Sequence, residues 1–192
     1  MKNYSECVLI IDAGSQYCKL IDRIVRKLCV ETVLSPLGID HTEIFKKKYS
    51  AIIISGGPGS ASFETDQTVI DEQIFELGIP ILGICLGMQL MVRKYGGKVE
   101  KLNRREDAQT KITIDETCDL YMGLEKDQTV LLTHGDSCTV IPAGFKTNAF
   151  SSLNVAVSVS NDEKKLYGVQ FHPEVNLTVN GEKIVENFLF KI

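Results

Sequence analysis

Residues 79–89 read Ile-Pro-Ile-Leu-Gly-Ile-Cys-Leu-Gly-Met-Gln, an apolar run that meets a turn of small residues and continues into a helical pattern. The run predicts a strand over 79–84, buried on both of its faces. We expect a helix from Leu86 to Tyr95, which Gly96 and Gly97 would terminate. A buried strand followed at once by a helix indicates an α/β architecture.

The same alternation continues on both sides of this stretch. Further strands are predicted over 7–11, 31–35 and 51–55, and helices over 15–28, 66–77 and 181–190. This order favours a mostly parallel open sheet with helices on both faces. After about residue 98, short alternating stretches at 110–114, 130–133, 155–159 and 166–171 predict a smaller, partly antiparallel strand region in the C-terminal half. We therefore expect residues 1–192 to form a single α/β domain.

Composition limits the classes of protein to which the chain can belong. Its 192 residues are 44% hydrophobic and 24% charged, as in soluble globular domains. A net charge of -4 offers no bulk attraction for nucleic acid or for an anionic membrane. The N-terminus lacks the apolar stretch of a signal peptide, and the six cysteines form no CxxC pair. These features predict a cytoplasmic protein with reduced thiols.

Residues 83–87, Gly-Ile-Cys-Leu-Gly, have the pattern of a nucleophile elbow with sulfur in place of oxygen. Small neighbours allow the sharp turn that would lift Cys85 above the sheet edge. The helix that follows would direct its N-terminal N–H groups at the sulfur and favour the thiolate. The alternative is a buried cysteine between two closely packed glycines.

Residues 170–174, Gln-Phe-His-Pro-Glu, supply a candidate base for Cys85. Pro173 favours extended backbone at His172, so that His172 and Glu174 would point to the same side. Glu174 could then fix the tautomer of His172, as in other triads. The alternative is an ordinary His–Glu pair in a surface loop.

Two further segments contain polar or glycine-rich residues after a predicted strand. Residues 55–60, Ser-Gly-Gly-Pro-Gly-Ser, are a poor phosphate loop, because Pro58 lacks a donor and no Gly-Lys-Ser/Thr follows. They could offer N–H groups to an oxyanion or form only a tight turn. Residues 133–137 could line the same cleft. His134 and Asp136 with His172 and Glu174 could be written as metal ligands, but the spacing is a weak metal signal and we expect no metal.

Together, residues 56–59, 83–89 and 170–174 resemble, in order and spacing, the class I glutamine amidotransferases over essentially the whole chain. Residues 12–17, 105–107 and 132–137 most resemble the glutaminase domain of the GMP synthetases, in their eukaryotic form. The resemblance implies hydrolysis of glutamine to glutamate and ammonia through a glutamyl thioester.

The resemblance also implies a role for individual residues. Cys85 would be the nucleophile, His172 the base and acid, and Glu174 the residue that orients the imidazole. Backbone N–H groups of Gly57 and Leu86 would form the oxyanion hole. The substrate-binding residues would be Gly59, Gln89, Gly135 and Asp136. The glutaminase step would need no cofactor.

In the GMP synthetases, ammonia passes to an ATP pyrophosphatase domain that converts XMP to GMP. The phosphate loop of that domain, Ser-Gly-Gly-x-Asp-Ser, does not occur in this chain, and a dimerisation domain is also absent. We therefore expect a piece of a longer protein or a separate glutaminase subunit, with ATP and magnesium bound only by the partner. The polar side of helix 15–28, including Arg23, and the segment after Glu174 are the expected partner surface.

Three alternatives remain open at this point. The chain could serve another amidotransferase, in anthranilate, aminodeoxychorismate, CTP or carbamoyl phosphate synthesis, because residues 83–87 fit all of these families. It could be a catalytically silent regulatory module of the same fold. It could also be a cysteine hydrolase that acts on γ-glutamyl or peptide substrates.

Overall fold

The computed structural model describes residues 6–62 and 69–192, without the side chains of 102–105. These residues form one sheet, four α-helices and two short 3-10 helices. The strands are β1 (Cys7–Asp12), β2 (Glu31–Pro36), β3 (Ala51–Ile54), β4 (Ile81–Ile84), β5 (Lys98–Ile114), β6 (Asp127–Val140), β7 (Lys146–Ser151), β8 (Ala156–Asn161) and β9 (Leu166–Val169). The α-helices are α1 (Cys18–Lys27), α2 (His41–Lys47), α3 (Leu86–Lys94) and α4 (Gly181–Lys191).

The strand order in the sheet is β2-β1-β3-β4-β9-β8-β7-β5-β6. The first five strands in this order are parallel, and the remaining pairings are antiparallel. Strand β9 joins the two regions, since it is parallel to β4 and antiparallel to β8. The predicted parallel sheet with a smaller antiparallel region is confirmed, although the antiparallel strands β5 and β6 are much longer than expected.

Helices cover both faces of the parallel region, as predicted. Alternate residues of β1 and β3 belong to two separate apolar clusters, with Ile10 and Ile53 in one and Leu9 and Ile52 in the other. The first cluster includes apolar residues of α1 and α4, and the second includes those of α2 and α3. Such continuous apolar strands require cover on both faces, since each face would otherwise expose its side chains to water.

Further features differ from the expectations. The predicted helix over 66–77 is wrong in its described part, where only a 3-10 helix at Glu72–Glu76 occurs, and residues 66–68 lie outside the described residues. The carboxylate of Asp71 accepts the N–H of Gln73 and so begins the helix there. Strand β7 was not predicted, because it buries the polar residues Asn148 and Ser151 and lacks apolar alternation.

No helix in the described part of the chain combines the length and the apolar character that crossing a membrane would require. The carboxyl ends of β1, β3, β4 and β9 lie at one edge of the parallel region. In open α/β sheets, ligands bind in the crevice outside this edge. The three motifs around residues 56, 85 and 172 each follow one of these strands, so the topology brings them together.

Candidate active site

Cys85 occupies a strained turn between β4 and α3. Its backbone has φ 52° and ψ -105°, a conformation that non-glycine residues rarely adopt, and the residue is 8% exposed. The flanking glycines make the turn possible. A Cβ atom on Gly83 would lie 2.6 Å from the carbonyl carbon of Gly87, and one on Gly87 would lie 2.5 Å from the carbonyl oxygen of Ile54. The predicted elbow is therefore present.

His172 and Glu174 follow β9 and face each other. Nδ1 of His172 lies 2.8 Å from Oε1 of Glu174, and both side chains are buried. Tyr17 contacts the imidazole edge-to-face, with ring centroids 5.2 Å apart. The two residues are thus a buried, hydrogen-bonded pair and not a surface loop pair.

The ionisation of His172 reflects these neighbours. Burial alone would lower its pKa, but hydrogen bonds with Cys85 and Glu174, and the negative charges of both, raise it to about 10. The imidazole thus keeps its second proton at neutral pH when both partners are charged. A cationic imidazole beside a sulfur is the arrangement that activates cysteine nucleophiles.

The register of two neighbouring strands brings the sulfur and the imidazole together. Ile84 pairs with Val169 in the parallel β4–β9 ladder, so that Cys85 and the segment 170–174 leave the sheet side by side. Gly56 packs against both side chains, since a Cβ atom there would be 3.0 Å from Cε1 of His172 and 3.9 Å from Sγ of Cys85. Only a residue without a side chain fits this position.

Gly57 and Leu86, the residues predicted to supply the oxyanion donors, lie close together. Leu86 begins α3, so its N–H has no partner within the helix. A Cβ atom on Gly57 would be 3.2 Å from Cδ2 of Leu86 and only 2.1 Å from the carbonyl oxygen of Ala13. The turn at residues 55–60 therefore approaches both the β1 end and the Cys85 turn.

Two adjoining clefts open at Cys85. One, of about 360 Å³, is lined by residues 14–17, Gly57, Pro58, Cys85, Thr133 and His172. The other, of about 380 Å³, shares Cys85 and Thr133 with it, and all four predicted substrate residues line it: Gly59, Gln89, Gly135 and Asp136. A third and larger cleft, of about 670 Å³, lies between α1 and residues 173–182 and is bordered by Glu174.

Side chains fix the far wall of the second cleft. The carboxylate of Asp136 accepts a 2.6 Å hydrogen bond from Oγ of Ser60. The carbonyl oxygen of Asp136 accepts from Nδ1 of His134 at 2.9 Å and from Nε2 of Gln89 at 2.9 Å. Nε2 of His134 lies 3.3 Å from Oε2 of Glu106 on β5, and both residues are buried. Residues 134–136 are thereby held in place by contacts with β5, with α3 and with the turn at residues 55–60.

The sequence did not single out Gln170. It is fully buried, and its Nε2 lies 3.5 Å from Sγ of Cys85 while its Oε1 accepts from Nε2 of Gln89 at 3.1 Å. The sequence offered one signal for Gln170. It lies two residues before His172, and in an extended strand such residues point to the same side. Ser60 and Tyr17 were also missed as contacts of the site.

The residues that could be written as metal ligands serve other partners here. Asp136 bonds Ser60, and Glu174 bonds His172. Among the described residues, the grouping of side chains spaced for an ion is Asp40, His41 and Asp71, at the start of α2. There Asp71 already accepts both the N–H and the ring Nδ1 of His41, which is a capping arrangement.

The family model and the relatives found by comparison with known proteins agree with each other. Residues 9–192 match the family model "Glutamine amidotransferase class-I". The chain is 50% identical over 191 residues to a protein of Caenorhabditis elegans named "Probable GMP synthase", covering 97% of this chain and 25% of that protein. It is 45% identical over 194 residues to the GMP synthase of Brachyspira hyodysenteriae, of which it covers 37%. The chain thus spans between a quarter and two fifths of the length of these relatives.

Solved structures share the fold. A GMP synthase subunit from Thermoplasma acidophilum superposes with a TM-score of 0.82 at 27% identity, over 95% of this chain and 92% of that chain. A glutamine amidotransferase from Methylobacillus flagellatus gives a TM-score of 0.70 at 18% identity, over 89% and 71% of the two chains. The second likeness concerns the fold alone.

Proposed function

The chain belongs to the class-I glutamine amidotransferase family, and from this premise we propose that it hydrolyses L-glutamine through Cys85, His172 and Glu174. The observation that carries the proposal is the arrangement of Cys85 in a strained turn beside a buried His172–Glu174 pair, at the mouth of two clefts. A silent module would have no need to maintain backbone strain at a cysteine.

The proposed first step is attack of Sγ of Cys85 on the side-chain amide carbon of glutamine. The carbonyl oxygen gains negative charge, which the N–H groups of Gly57 and Leu86 stabilise by roughly 3 kcal/mol per donor. His172 holds the proton taken from the thiol and donates it to the nitrogen, so that the C–N bond breaks and ammonia leaves. The product of this step is a glutamyl thioester on Cys85.

The second step regenerates the enzyme. His172, now neutral, accepts a proton from water as the water attacks the thioester. The C–S bond breaks, Cys85 recovers its proton by way of His172, and glutamate is released. Glu174 keeps the imidazole oriented in both steps, since its Oε1 holds Nδ1 and leaves Nε2 for the sulfur and the substrate.

The cleft lined by Gly59, Gln89, Gly135 and Asp136 is the proposed site for the glutamine head group. Its walls offer the carboxylate of Asp136 and the side-chain amide of Gln89, which suit the charged ammonium of an amino acid. This cleft meets the sulfur at Cys85, so a glutamine bound there would present its side chain to the nucleophile.

We further propose that the ammonia passes to a synthetase partner that converts XMP to GMP with ATP. Support comes from the names of the relatives, which are GMP synthases two and a half to four times longer than the matched segment. Free ammonia is mostly protonated at neutral pH and a poor nucleophile, so production beside its acceptor is an advantage. ATP and magnesium would belong to the partner, and the six free cysteines fit a cytoplasmic location.

The third cleft is the proposed partner surface. It is lined by Leu20, Arg23, Ile24 and Lys27 of α1 and by residues 173–182, and it reaches Glu174 of the proposed triad. A partner seated there would touch the segment that carries His172 and Glu174. Such contact could couple the state of the synthetase to the glutaminase site.

The test is intact-mass analysis after exposure to a chloroketone analogue of glutamine, with Cys85→Ala as the control. We expect a single adduct, absent from Cys85→Ala and suppressed by excess glutamine. Labelling spread over the other cysteines, or labelling that glutamine does not suppress, would contradict a glutamine site at Cys85. The measurement is repeated with the synthetase partner bound if the isolated chain gives no adduct, and failure there also rejects the proposal.

A further inference from the structure

A chain of three hydrogen bonds runs from the backbone of β6 to the sulfur of Cys85. Nε2 of Gln89 donates to the carbonyl oxygen of Asp136 at 2.9 Å and to Oε1 of Gln170 at 3.1 Å. Nε2 of Gln170 then lies 3.5 Å from Sγ of Cys85. Gln89 is 4% exposed and Gln170 is fully buried, so water does not compete for these groups.

The backbone carbonyl of Asp136 fixes which group donates and which accepts in each of these hydrogen bonds. A backbone carbonyl can only accept hydrogen bonds, so Gln89 must turn its NH₂ group towards Asp136. The second hydrogen of that NH₂ meets Oε1 of Gln170. Gln170 therefore cannot rotate its amide without facing NH₂ against NH₂, and its remaining donor points at the sulfur.

The carbonyl of Asp136 is itself held in place. It also accepts from Nδ1 of His134 at 2.9 Å, and it lies on β6, which pairs with β5 along most of its length. The carbonyl at which these hydrogen bonds begin thus belongs to a strand of the sheet. Gln89, the middle member of these hydrogen bonds, lies in the first turn of α3, the helix that begins directly after Cys85.

Within the described ranges 6–62 and 69–192, the side chains that hydrogen-bond the sulfur are His172 and Gln170. The backbone N–H of Cys85 is used by the carbonyl of Val169 at 2.7 Å. A sulfur held only by His172 could rotate about its Cα–Cβ bond. A second donor restricts that rotation and favours the thiolate, because hydrogen bonds to a charged group are stronger than neutral ones.

We propose that Gln170 is a positioning residue, which holds Sγ of Cys85 through a hydrogen bond whose direction is imposed by Gln89 and the carbonyl of Asp136. The proposal rests on the proposed role of Cys85 as nucleophile. It also assigns Gln89 a second task, since both of its amide hydrogens are used within the protein. Gln89 can then contact glutamine only as an acceptor, through Oε1.

The experiment measures the rate of alkylation of Cys85 by iodoacetamide as a function of pH, by intact mass. Iodoacetamide lacks the amino-acid head group of glutamine and its alkylation of sulfur is not hydrolysis, so the result does not depend on binding of that head group or on glutaminase turnover. Labelling of the other cysteines is subtracted with Cys85→Ala. Of the residues that the structure describes, His172 and Cys138 interact electrostatically with Cys85, and burial raises the pKa of the Cys138 thiol to about 12, so Cys138 stays protonated in this assay.

Three Gln→Met variants are compared, because methionine has nearly the length of glutamine but no donor. In Gln170→Met we expect the midpoint of the profile to lie about one pH unit higher, so that alkylation at any pH below both midpoints slows about tenfold, with the high-pH plateau retained. In Gln89→Met, which frees the orientation of Gln170, we expect a smaller shift in the same direction. Gln128→Met, a buried glutamine on β6 whose amide bonds the carbonyl of Glu125, should keep the wild-type profile.

A merely structural role would lower the melting temperature or the plateau without moving the midpoint. A folded Gln170→Met variant with the wild-type midpoint overturns the proposal, as does an equal shift in Gln128→Met. If Gln170→Met does not fold, Gln89→Met decides the matter, since a shifted midpoint supports the proposal and an unchanged one overturns it.

Discussion

The backbone N–H of Cys85 donates a 2.7 Å hydrogen bond to the carbonyl oxygen of Val169. This bond joins the turn at Cys85 to the last residue of β9, the strand that precedes His172. The ladder between β4 and β9 therefore brings the turn that carries Cys85 beside the segment that carries His172. Substitutions that disturb this edge of the sheet should affect activity more than their effect on stability suggests.

Gly56→Ala should impair catalysis while leaving the fold largely intact. Its Cβ atom would lie 3.0 Å from Cε1 of His172 and 3.4 Å from Cβ of Cys85, so the imidazole must move. A displacement of about 1 Å in a catalytic group costs roughly a hundredfold in rate. The check is glutaminase turnover beside the melting temperature. Gly38→Ala, where a Cβ atom meets nothing within 4 Å, is the control, and equal activity in both variants would contradict the expectation.

Gly87→Ala should destabilise the protein itself. The added Cβ atom would lie 2.5 Å from the carbonyl oxygen of Ile54, a backbone atom that cannot turn aside. We expect the free energy of unfolding to fall by about 1–3 kcal/mol, the usual range for overpacking. Urea denaturation measures this fall, and a variant as stable as wild type would show that α3 can move away from β3 without cost.

Glu174→Gln should change how stability depends on pH. The folded-state pKa of His172, about 10, lies above its ordinary value of 6.5, so the stability that its proton contributes is complete below about pH 6.5. That contribution is lost as the pH rises towards about 10. Removing the charge of Glu174 lowers the pKa of His172 and reduces the contribution.

The measurement is the free energy of unfolding of both proteins at about pH 6 and about pH 9.5. We expect wild type to lose more stability than Glu174→Gln over this interval. Other groups titrate alike in the two proteins and cancel in the comparison. A constant difference between the two proteins at both pH values would argue against the assigned role of the pair.

Asp136→Ala should raise the KM for glutamine more than it lowers kcat. If the carboxylate binds the charged head group, its loss removes a hydrogen bond to a charged partner, which corresponds to about a tenfold or larger change. Steady-state kinetics separates the two constants. Ser60→Ala leaves the carboxylate in place but removes the 2.6 Å bond that orients it, together with the bond that Ser60 Oγ accepts from the N–H of Ser62, so a smaller rise in KM is expected there. An unchanged KM in Asp136→Ala would remove this residue from the substrate site.

Arg23→Glu should weaken coupling to the synthetase partner without reducing glutamine hydrolysis by the isolated chain. Arg23 is exposed and lines the third cleft, whereas Lys19 is exposed on the same helix and does not line it. Lys19→Glu is therefore a matched charge reversal. Glutamine-dependent synthesis, compared with ammonia-dependent synthesis, measures the coupling. Equal coupling in both variants would place the partner elsewhere.

Prediction from the sequence succeeded where one local pattern decides the structure. Continuous apolar runs, such as those of β1 and β3, have one low-energy arrangement, with cover on both faces. Prediction failed where a single side-chain hydrogen bond starts a different helix, and where a strand buries polar residues. Asp71 caps a short 3-10 helix in place of the expected longer one, and β7 buries Asn148, which no apolar pattern signals. The roles of the site residues stay predictions until the experiments above are done.

The sequence by itself determined the class of fold, the turn at Cys85 and the candidates His172 and Glu174, because each depends on residues that are neighbours in the chain. Only the tertiary structure decided that Gly56 packs against both the sulfur and the imidazole and that Gln170, held by Gln89, faces the sulfur. These contacts join residues 29 to 116 positions apart. They depend on the order and register of β3, β4 and β9, which hydrogen bonds across the whole sheet establish.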